Sequence, residues 1–497
     1  MKTPQLDTRS LERARAFFWA VCVFLLVLSP FAESPSGYLL VTIPICACAI
    51  IWLQSGAGGI PALPIASVLY WIYYALPLLR TPSRNYSPAD YAEAGLTVGL
   101  FLTSAVLSWG LIFRVRKLGR RRSWDLEAPL VEKRIFGIVC LGLLSGITFM
   151  AATFLDGLDV FGNFVGVVRS VSFTFSAVSA FLLGYARGRQ WLSGRRWFAA
   201  TVLFSIYLML HMFSLYISGA AALLLGAIVA YALASKKVPV ITLIALLGLF
   251  TVLHAGKGDM RVKYWNPETQ EAKAGLASAP EFFVQWVEDG ISNFVVGKAT
   301  GDAALERTSL LQMLLLAQYS TPGLVPFLEG ATYSYLGVTL VPRFLNPDKA
   351  NSQSGLNLMS VHYGLQRAED TRSTTIAWGL IAEAFANFGH AGVIVMGLFF
   401  GVLNGFITRF STGMSPLSVP FLMAASATLN ILNVEADFSY LILNIVQSLI
   451  SVLIFAMVLR LLQRKRRPAP KPIVDPAHAA RGKLARVGLR GGLRPDF

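Results

Sequence analysis

Apolar runs recur along this chain, separated by short clusters of charged and turn-forming residues. A helix needs roughly 20 mostly apolar residues to cross the hydrocarbon core of a bilayer. The runs at 16–32, 38–54, 61–79, 91–113, 135–154, 171–186, 198–217, 220–234, 238–255, 391–408, 416–433 and 439–461 meet or approach that length. They predict an all-α, polytopic integral membrane protein of about twelve transmembrane helices. The seventh and eighth runs are almost continuous from Phe198 to Ala234, so the Ser218-Gly219 pair is expected to turn a tight helical hairpin.

The interval from 256 to 390 breaks the pattern. It is too long to be a plain connection, and loops of that size that are neither low-complexity nor charge-rich are usually functional. Pro280 and Glu281 open an expected helix, with proline and an acid in its first turn. Leu310–Tyr319 and Phe327–Val341 are apolar enough to lie at a membrane surface, whereas Ser352–Ser373 is polar and reads as mobile. Thr374–Phe388 is apolar too, but making it a span would reverse the side of every later charge cluster. It is therefore expected to be a helix lying at, or dipping into, the external face. The glycines of Asn387-Phe-Gly-His-Ala-Gly392 then supply a sharp turn into the next span.

Composition agrees with the pattern. Apolar residues make up 55% of the chain and charged residues only 14%, with a mean hydropathy of +0.58. A water-soluble fold of this size needs more surface charge. The net charge of +16 suggests nucleic-acid binding until the charges are placed. With the N-terminus inside, thirty of the 43 Lys and Arg residues, but only seven of the 27 Asp and Glu residues, fall on the cytoplasmic side. That is the positive-inside bias of a membrane protein, and it leaves no case for nucleic acid. Lys2, Arg9, Arg13 and Arg15 precede the first run as in a signal peptide, but no small-residue cleavage site follows, so an uncleaved first helix is expected. Cys22, Cys46, Cys48 and Cys140 all sit in apolar runs and read as buried hydrophobes. The resulting division is a nine-helix membrane region (1–255), a large external loop (256–390), three C-terminal transmembrane helices (391–462) and a disordered basic tail (463–497).

Candidate chemistry gathers at the external face. His211 is the one ionisable residue deep within the predicted spans, and it reads as an interhelical hydrogen-bonding group. So few intramembrane charges argue against an ion-driven transporter. The external segment instead carries Arg343, Lys349, His362, Arg367, Arg372, Glu383 and Asn387, with Glu435 and Asp437 in the turn before the last span. Arginine binds phosphate oxygens bidentately, and fixed cations stabilise the charge that builds on a departing pyrophosphate without a metal. Glu383 could deprotonate a sugar hydroxyl if burial raised its pKa, and Asn387 lies one helical turn further on the same face. The Asp-rich metal signatures of nucleotide-sugar transferases and any phosphate-cradling glycine loop are missing, so no metal and no cofactor is expected.

Two stretches carry a family resemblance. Phe327-Leu-Glu-Gly-Ala-Thr-Tyr333, followed by Val341-Pro-Arg-Phe-Leu-Asn-Pro-Asp-Lys349, resembles the external loop of O-antigen and exopolysaccharide repeat-unit polymerases. So does Ala382-Glu-Ala-Phe-Ala-Asn-Phe-Gly389 with Gly392 beyond it. The resemblance covers Phe327 to Gly392; the rest agrees in helix count and loop placement. It implies a GT-C-like membrane glycosyltransferase of the bacterial inner membrane, with both termini cytoplasmic. Such an enzyme moves a growing glycan from undecaprenyl pyrophosphate to an incoming lipid-linked repeat unit, alongside a flippase and a chain-length regulator. Arg343 and Lys349 match the family's Pro-Arg…Pro-x-Lys cluster, and Glu383, Asn387 and Gly389 its Glu-x-x-x-Asn-x-Gly element. The expected assignment is Glu383, Arg343 and Arg372 as catalytic residues, with Lys349, Arg367, Asn387, His362 and Asp437 binding substrate. An O-antigen ligase-like transferase and a lipid-linked oligosaccharide flippase or transporter are the alternatives.

Overall fold

The computed structural model describes residues 8–56, 58–79, 86–114, 128–155, 157–215, 217–237, 239–265, 279–295, 310–372 and 374–464. The basic loop 115–127, the segments 266–278 and 296–309 and the tail from 465 lie outside the described residues, as do the expectations placed on them. Among the described residues every regular element is helical and no strand occurs.

The helices are α1 (Thr8–Val27), α2 (Pro35–Gln54), α3 (Ala62–Tyr70, prolonged by tighter and wider turns to Leu79), α4 (Pro88–Arg114), α5 (Ala128–Phe154), α6 (Val165–Gly188), α7 (Gly194–Phe213), α8 (Ile217–Ser235) and α9 (Val240–Trp265). Then follow α10 (Ala279–Val295), α11 (Leu310–Ser320), α12 (Ala331–Leu340), α13 (Ser354–His362), α14 (Gly379–Ser411), α15 (Val419–Ile431) and α16 (Phe438–Arg464). Local chemistry sets several starts. The Ser34 hydroxyl accepts from the Gly37 N–H at 3.2 Å, with Pro35 next in line; Ser418 does the same for Phe421 at 3.4 Å, ahead of Pro420.

Nine helices among the described residues are long and apolar enough to cross a membrane. They coincide with nine of the twelve expected runs. The other three are shorter apolar helices, at Arg15–Phe31, Gly219–Ser235 and Val419–Ile431. At 1.5 Å per residue α15 rises only about 20 Å, less than a straight crossing requires. The α7–α8 turn also falls earlier than expected. Leu215 takes the left-handed conformation (φ 54°), while Ser214 closes α7 by donating to the His211 carbonyl at 2.6 Å. Gly219 instead lies within α8, against the His211 ring.

Close helix approach rests on small residues. Gly397, Gly401 and Gly405 recur every fourth residue of α14 and lie against the α4 backbone at Phe101, Ala105 and Trp109. A methyl group on Gly401 would run into the Ala105 carbonyl and the Ser108 hydroxyl. Gly37 of α2 meets Gly95 of α4 in the same way, and Gly184 of α6 meets Ala227 of α8. Inside a bilayer this is the economical contact, because van der Waals packing of backbones replaces the hydrophobic drive that water would supply.

Three expectations for the external interval are corrected. Leu310–Ser320 is not spread over a surface: Leu310, Leu311, Leu314 and Leu315 are buried in the core with α2, α3, α4 and α14. Ser354–His362, expected to be mobile, is a helix that buries Leu356, Met359 and Ser360. Thr374–Phe388 is helical only from Gly379, and its helical part is enclosed by protein from Gly379 through Asn387. The chain forms one unit through Ile454; a second begins at Phe455, and its described residues, to Arg464, are helical.

The glycine seam gives a direct check. Gly401→Leu should destabilise the α4–α14 pair by about 1–3 kcal/mol through overpacking. Gly110→Leu, which meets open space, should be neutral. Thermal unfolding in detergent reads both, and equal midpoints would contradict the packing.

Candidate functional site

The first nine residues of α14 carry the centre of the site. Gly379 starts the helix with φ 73°, a value that favours glycine, in a position where a side chain would strike the Val434 carbonyl. The helix breaks at Phe388 and Gly389, where φ 60° and ψ −150° at Gly389 again call for glycine, then resumes toward Ser411. This is the sharp turn expected at Asn387–Gly392. It leaves a short, enclosed half-helix, Gly379–Asn387, whose inward side chains are Glu383 and Asn387, both 0% exposed.

Each fastens a different element. Glu383 Oε2 accepts from the Phe438 N–H at 2.7 Å, at the first residue of α16. Asn387 Oδ1 accepts from the Gly330 N–H at 2.9 Å, while its Nδ2 donates to Thr332 Oγ1 at 2.9 Å and to the Glu383 carbonyl at 2.8 Å. Asp437, also 0% exposed, caps α16 by accepting from the Tyr440 N–H at 2.8 Å. Its other oxygen points at Gly355, the second residue of α13, which has no room for a side chain there. The Thr332 hydroxyl lies beside Glu383 and the Leu356 N–H beside Asp437. Glu383 Oε1 and Asp437 Oδ2 are thus left without a well-formed partner among the described residues.

Tyr333 closes the cluster. Its ring stands edge-on to Phe438 at 5.4 Å and stacks on Phe388 at 6.2 Å. Burial, and then the charges of Glu383 and Asp437, hold its phenol well above the ordinary range. Burial also pushes the Asp437 carboxyl up to about 6, although the Tyr440 and Leu356 N–H groups pull the other way. Thr332 and Tyr333 stand in the stretch that carries the family resemblance, but neither they nor Gly355 were assigned to the site from sequence; only the fold brings them against Glu383 and Asp437.

The expected cations fall in other groups. Arg343 is exposed in the turn after α12, where the neighbouring Phe344 stacks on Phe164 at 5.1 Å. Lys349 lies near it but is engaged: its ammonium donates to the Thr339 and Val341 carbonyls at 2.6 Å each, capping the end of α12. Partial burial, and then the Arg343 charge, lower the Lys349 pKa. Arg367 and Arg372 are exposed in a single turn, in which the Arg367 N–H donates to Asp370 at 3.2 Å. His362 is hydrogen-bonded to the Pro326 carbonyl at 2.9 Å. His211 pairs with Tyr207 of its own helix at 3.0 Å, so its bond is within a helix and not between helices. Among the described residues no group of three or more His, Cys, Asp and Glu side chains could hold a metal ion.

Another charged cluster borders the site. Glu435, exposed on the turn whose inner side carries Asp437, accepts from the Tyr73 hydroxyl at 3.2 Å. It lies in electrostatic range of His254 and Lys257 of α9, with Arg261 beside them.

Residues 100–464 match the DUF8712 family, described as a domain of unknown function; they make up more than half of the chain, which belongs to that family. No curated protein and no solved structure matches the chain.

Asp437 gives the cluster a pH signature. A carboxyl held above its ordinary range binds its proton more tightly folded than unfolded. Its contribution to stability is therefore present at acid pH and lost as pH rises from 3.8 to about 6. Asp437→Asn, which keeps an oxygen for the Tyr440 N–H, should flatten the unfolding profile across that window. A profile unchanged from wild type would contradict the burial of this carboxyl.

Proposed function

We propose that this member of the DUF8712 family is a glycan polymerase of the bacterial inner membrane, transferring a growing glycan from undecaprenyl pyrophosphate to an incoming lipid-linked repeat unit. In this reading the chain crosses about twelve times with both termini cytoplasmic, in a GT-C-like architecture, and the interval from 256 to 390 faces the periplasm. The observation that carries it is the convergence of Glu383, Asn387, Thr332 and Asp437 in one buried cluster, with exposed arginines in the turns that leave it. All of these but Asp437 lie within Phe327–Gly392, the interval whose sequence resembles the repeat-unit polymerases.

Each group has a task in such a transfer. Breaking the bond between the donor sugar and its diphosphate puts negative charge on the leaving oxygens, and Arg343 and Arg372 supply bidentate donors for them. Arg367 lies in the same turn as Arg372, and Lys349 holds the Arg343 turn in place through its two carbonyl contacts. The acceptor hydroxyl must lose a proton as the new glycosidic bond forms. Glu383 is the carboxylate assigned to it, with Asn387 and Asp437 fixing its position. In the arrangement described Glu383 is fully buried, so an acceptor sugar reaches the carboxylate only when the elements packed around it part. The donor must be delivered by a flippase, and a chain-length regulator would act on the product.

Cells producing Arg343→Ala plus Arg372→Ala at wild-type levels should lose polymer at least about tenfold, since each charge-assisted pair is worth roughly 1.5–3 kcal/mol. They should accumulate single repeat units on the lipid carrier. Full-length polymer in that strain would overturn the assignment. Single units retained on the cytoplasmic leaflet would point to a flippase.

A further inference from the structure

α1 and α2 form an antiparallel pair fastened at both ends by a side chain on a backbone carbonyl. At one end the Tyr38 hydroxyl donates to the Leu25 carbonyl at 2.9 Å. At the other, Arg15 Nε and Nη2 donate to the Leu53 carbonyl at 3.3 and 3.1 Å, in the last turn of α2, where helix carbonyls run out of N–H partners. A cavity of about 300 Å³ opens beside that second contact, lined by Arg15, Trp19, Ile50, Leu53 and Gln54. Arg15 is half-buried, whereas Trp19 and Gln54 are exposed, so the cavity is open on its outer side. The bond to Leu53 holds the Arg15 side chain in place without using it up. A guanidinium has five N–H groups in a planar fork; two of them meet one carbonyl oxygen, which leaves three for a second acceptor. Trp19 adds an indole N–H to the same wall, and Gln54 an amide that can donate or accept.

The level of the cavity indicates what it meets. α2 is of membrane length and ends at Gln54, and the apolar stretch of α1 begins at Arg15, so the cavity lies where apolar surface gives way to water. Phe17, Phe18 and Trp19 are all exposed there, as aromatic residues at a membrane interface are. Two apolar tracks lead away from it. On α1, Trp19, Val23 and Val27 follow one another at four-residue spacing, all more than half exposed. On α2 the half-buried Ile50 is joined, seven residues back, by the exposed Ile43. An anionic head in the cavity with hydrocarbon chains along the tracks is the shape of a phospholipid. The charge agrees in sign. The first fifteen residues hold four cations against two acids, and Glu12, exposed one turn before Arg15, is offset by the exposed Arg13.

We propose that this cavity binds the phosphodiester headgroup of an anionic membrane phospholipid, with the remaining Arg15 N–H groups on the phosphate oxygens and Trp19 and Gln54 at its rim. A free phosphate ion offers the same oxygens, but it has nothing to lay along the apolar tracks. Bound there, the lipid bridges α1 and the end of α2. The Glu383 cluster draws on α12, α13, α14 and α16, so this site does not depend on the chemistry proposed for that cluster.

The test titrates the full chain, purified in a neutral detergent, with phosphatidylglycerol, and follows the most tightly held lipid by native mass spectrometry. Gln54→Glu, which offers Arg15 a carboxylate in place of the phosphate, should weaken binding at least about tenfold. Gln54→Lys, at the same exposed position, should tighten it by about threefold. Changes of opposite sign at one surface residue are not what misfolding produces. Arg15→Gln, which keeps an amide donor for the Leu53 carbonyl, should also weaken binding at least about tenfold. Arg13→Gln, two residues away and off the cavity wall, should change it by less than about twofold. Phosphatidylcholine, whose ammonium offsets its phosphate, should bind more weakly than phosphatidylglycerol. Equal losses in the two arginine variants would reduce the binding to a diffuse attraction of the basic N-terminus and overturn the site. Gln54 variants that leave binding unchanged, or equal binding of the two lipids, overturn it as well. Inorganic phosphate that displaces the lipid at equal concentration overturns the lipid assignment and makes a free anion the occupant.

Discussion

The hydrogen bond from the Phe438 N–H to Glu383 ties together the parts on which the site depends. One partner is a carboxylate at 0% exposure on a half-helix that ends in a glycine break; the other is the first N–H of α16. A buried carboxylate is costly unless it is protonated or well bonded. The N-terminus of a helix is one of the few places in a protein interior that offers N–H donors with no helical partner of their own. Asp437 uses the third N–H of the same helix, at Tyr440. Both carboxylates are therefore located by one helix end, and the elements around them must conform. Gly355 has no side chain because Asp437 fills that space, and Gly330 takes the left-handed backbone (φ 91°) where its N–H reaches Asn387.

This arrangement separates two kinds of polar residue that look alike in sequence. Glu383, Asn387 and Asp437 are interior groups whose bonds hold α12, α14 and α16 in register. Arg343, Arg367 and Arg372 are exposed and stand in turns. Lys349 has the sequence setting of a binding cation, but its protons go to the carbonyls that α12 leaves open at its end. The division suits a transfer between large lipid-linked substrates, in which charge is handled at the rim while the positioning carboxylate stays out of water.

Much of this was legible from the chain. The recurrence of apolar runs located the long helices, Pro280 marked the start of α10, and the glycines after Asn387 marked the break in α14. What stayed hidden was which apolar surface faces protein and which faces lipid. In water an apolar face points to the core, but in a bilayer both surroundings accept leucine. Leu310–Ser320 and the half-helix after Gly379 were consequently read as surface elements, although both are enclosed.

Reconstitution tests the central claim most directly. The purified chain in proteoliposomes, given a lipid-linked repeat unit and no other protein, is analysed for product length over time. The account predicts a ladder of glycans differing by one repeat unit, still attached to the lipid diphosphate, with free carrier released at each step. Repeat units that stay single, whether they remain in one leaflet or cross to the other, would contradict it.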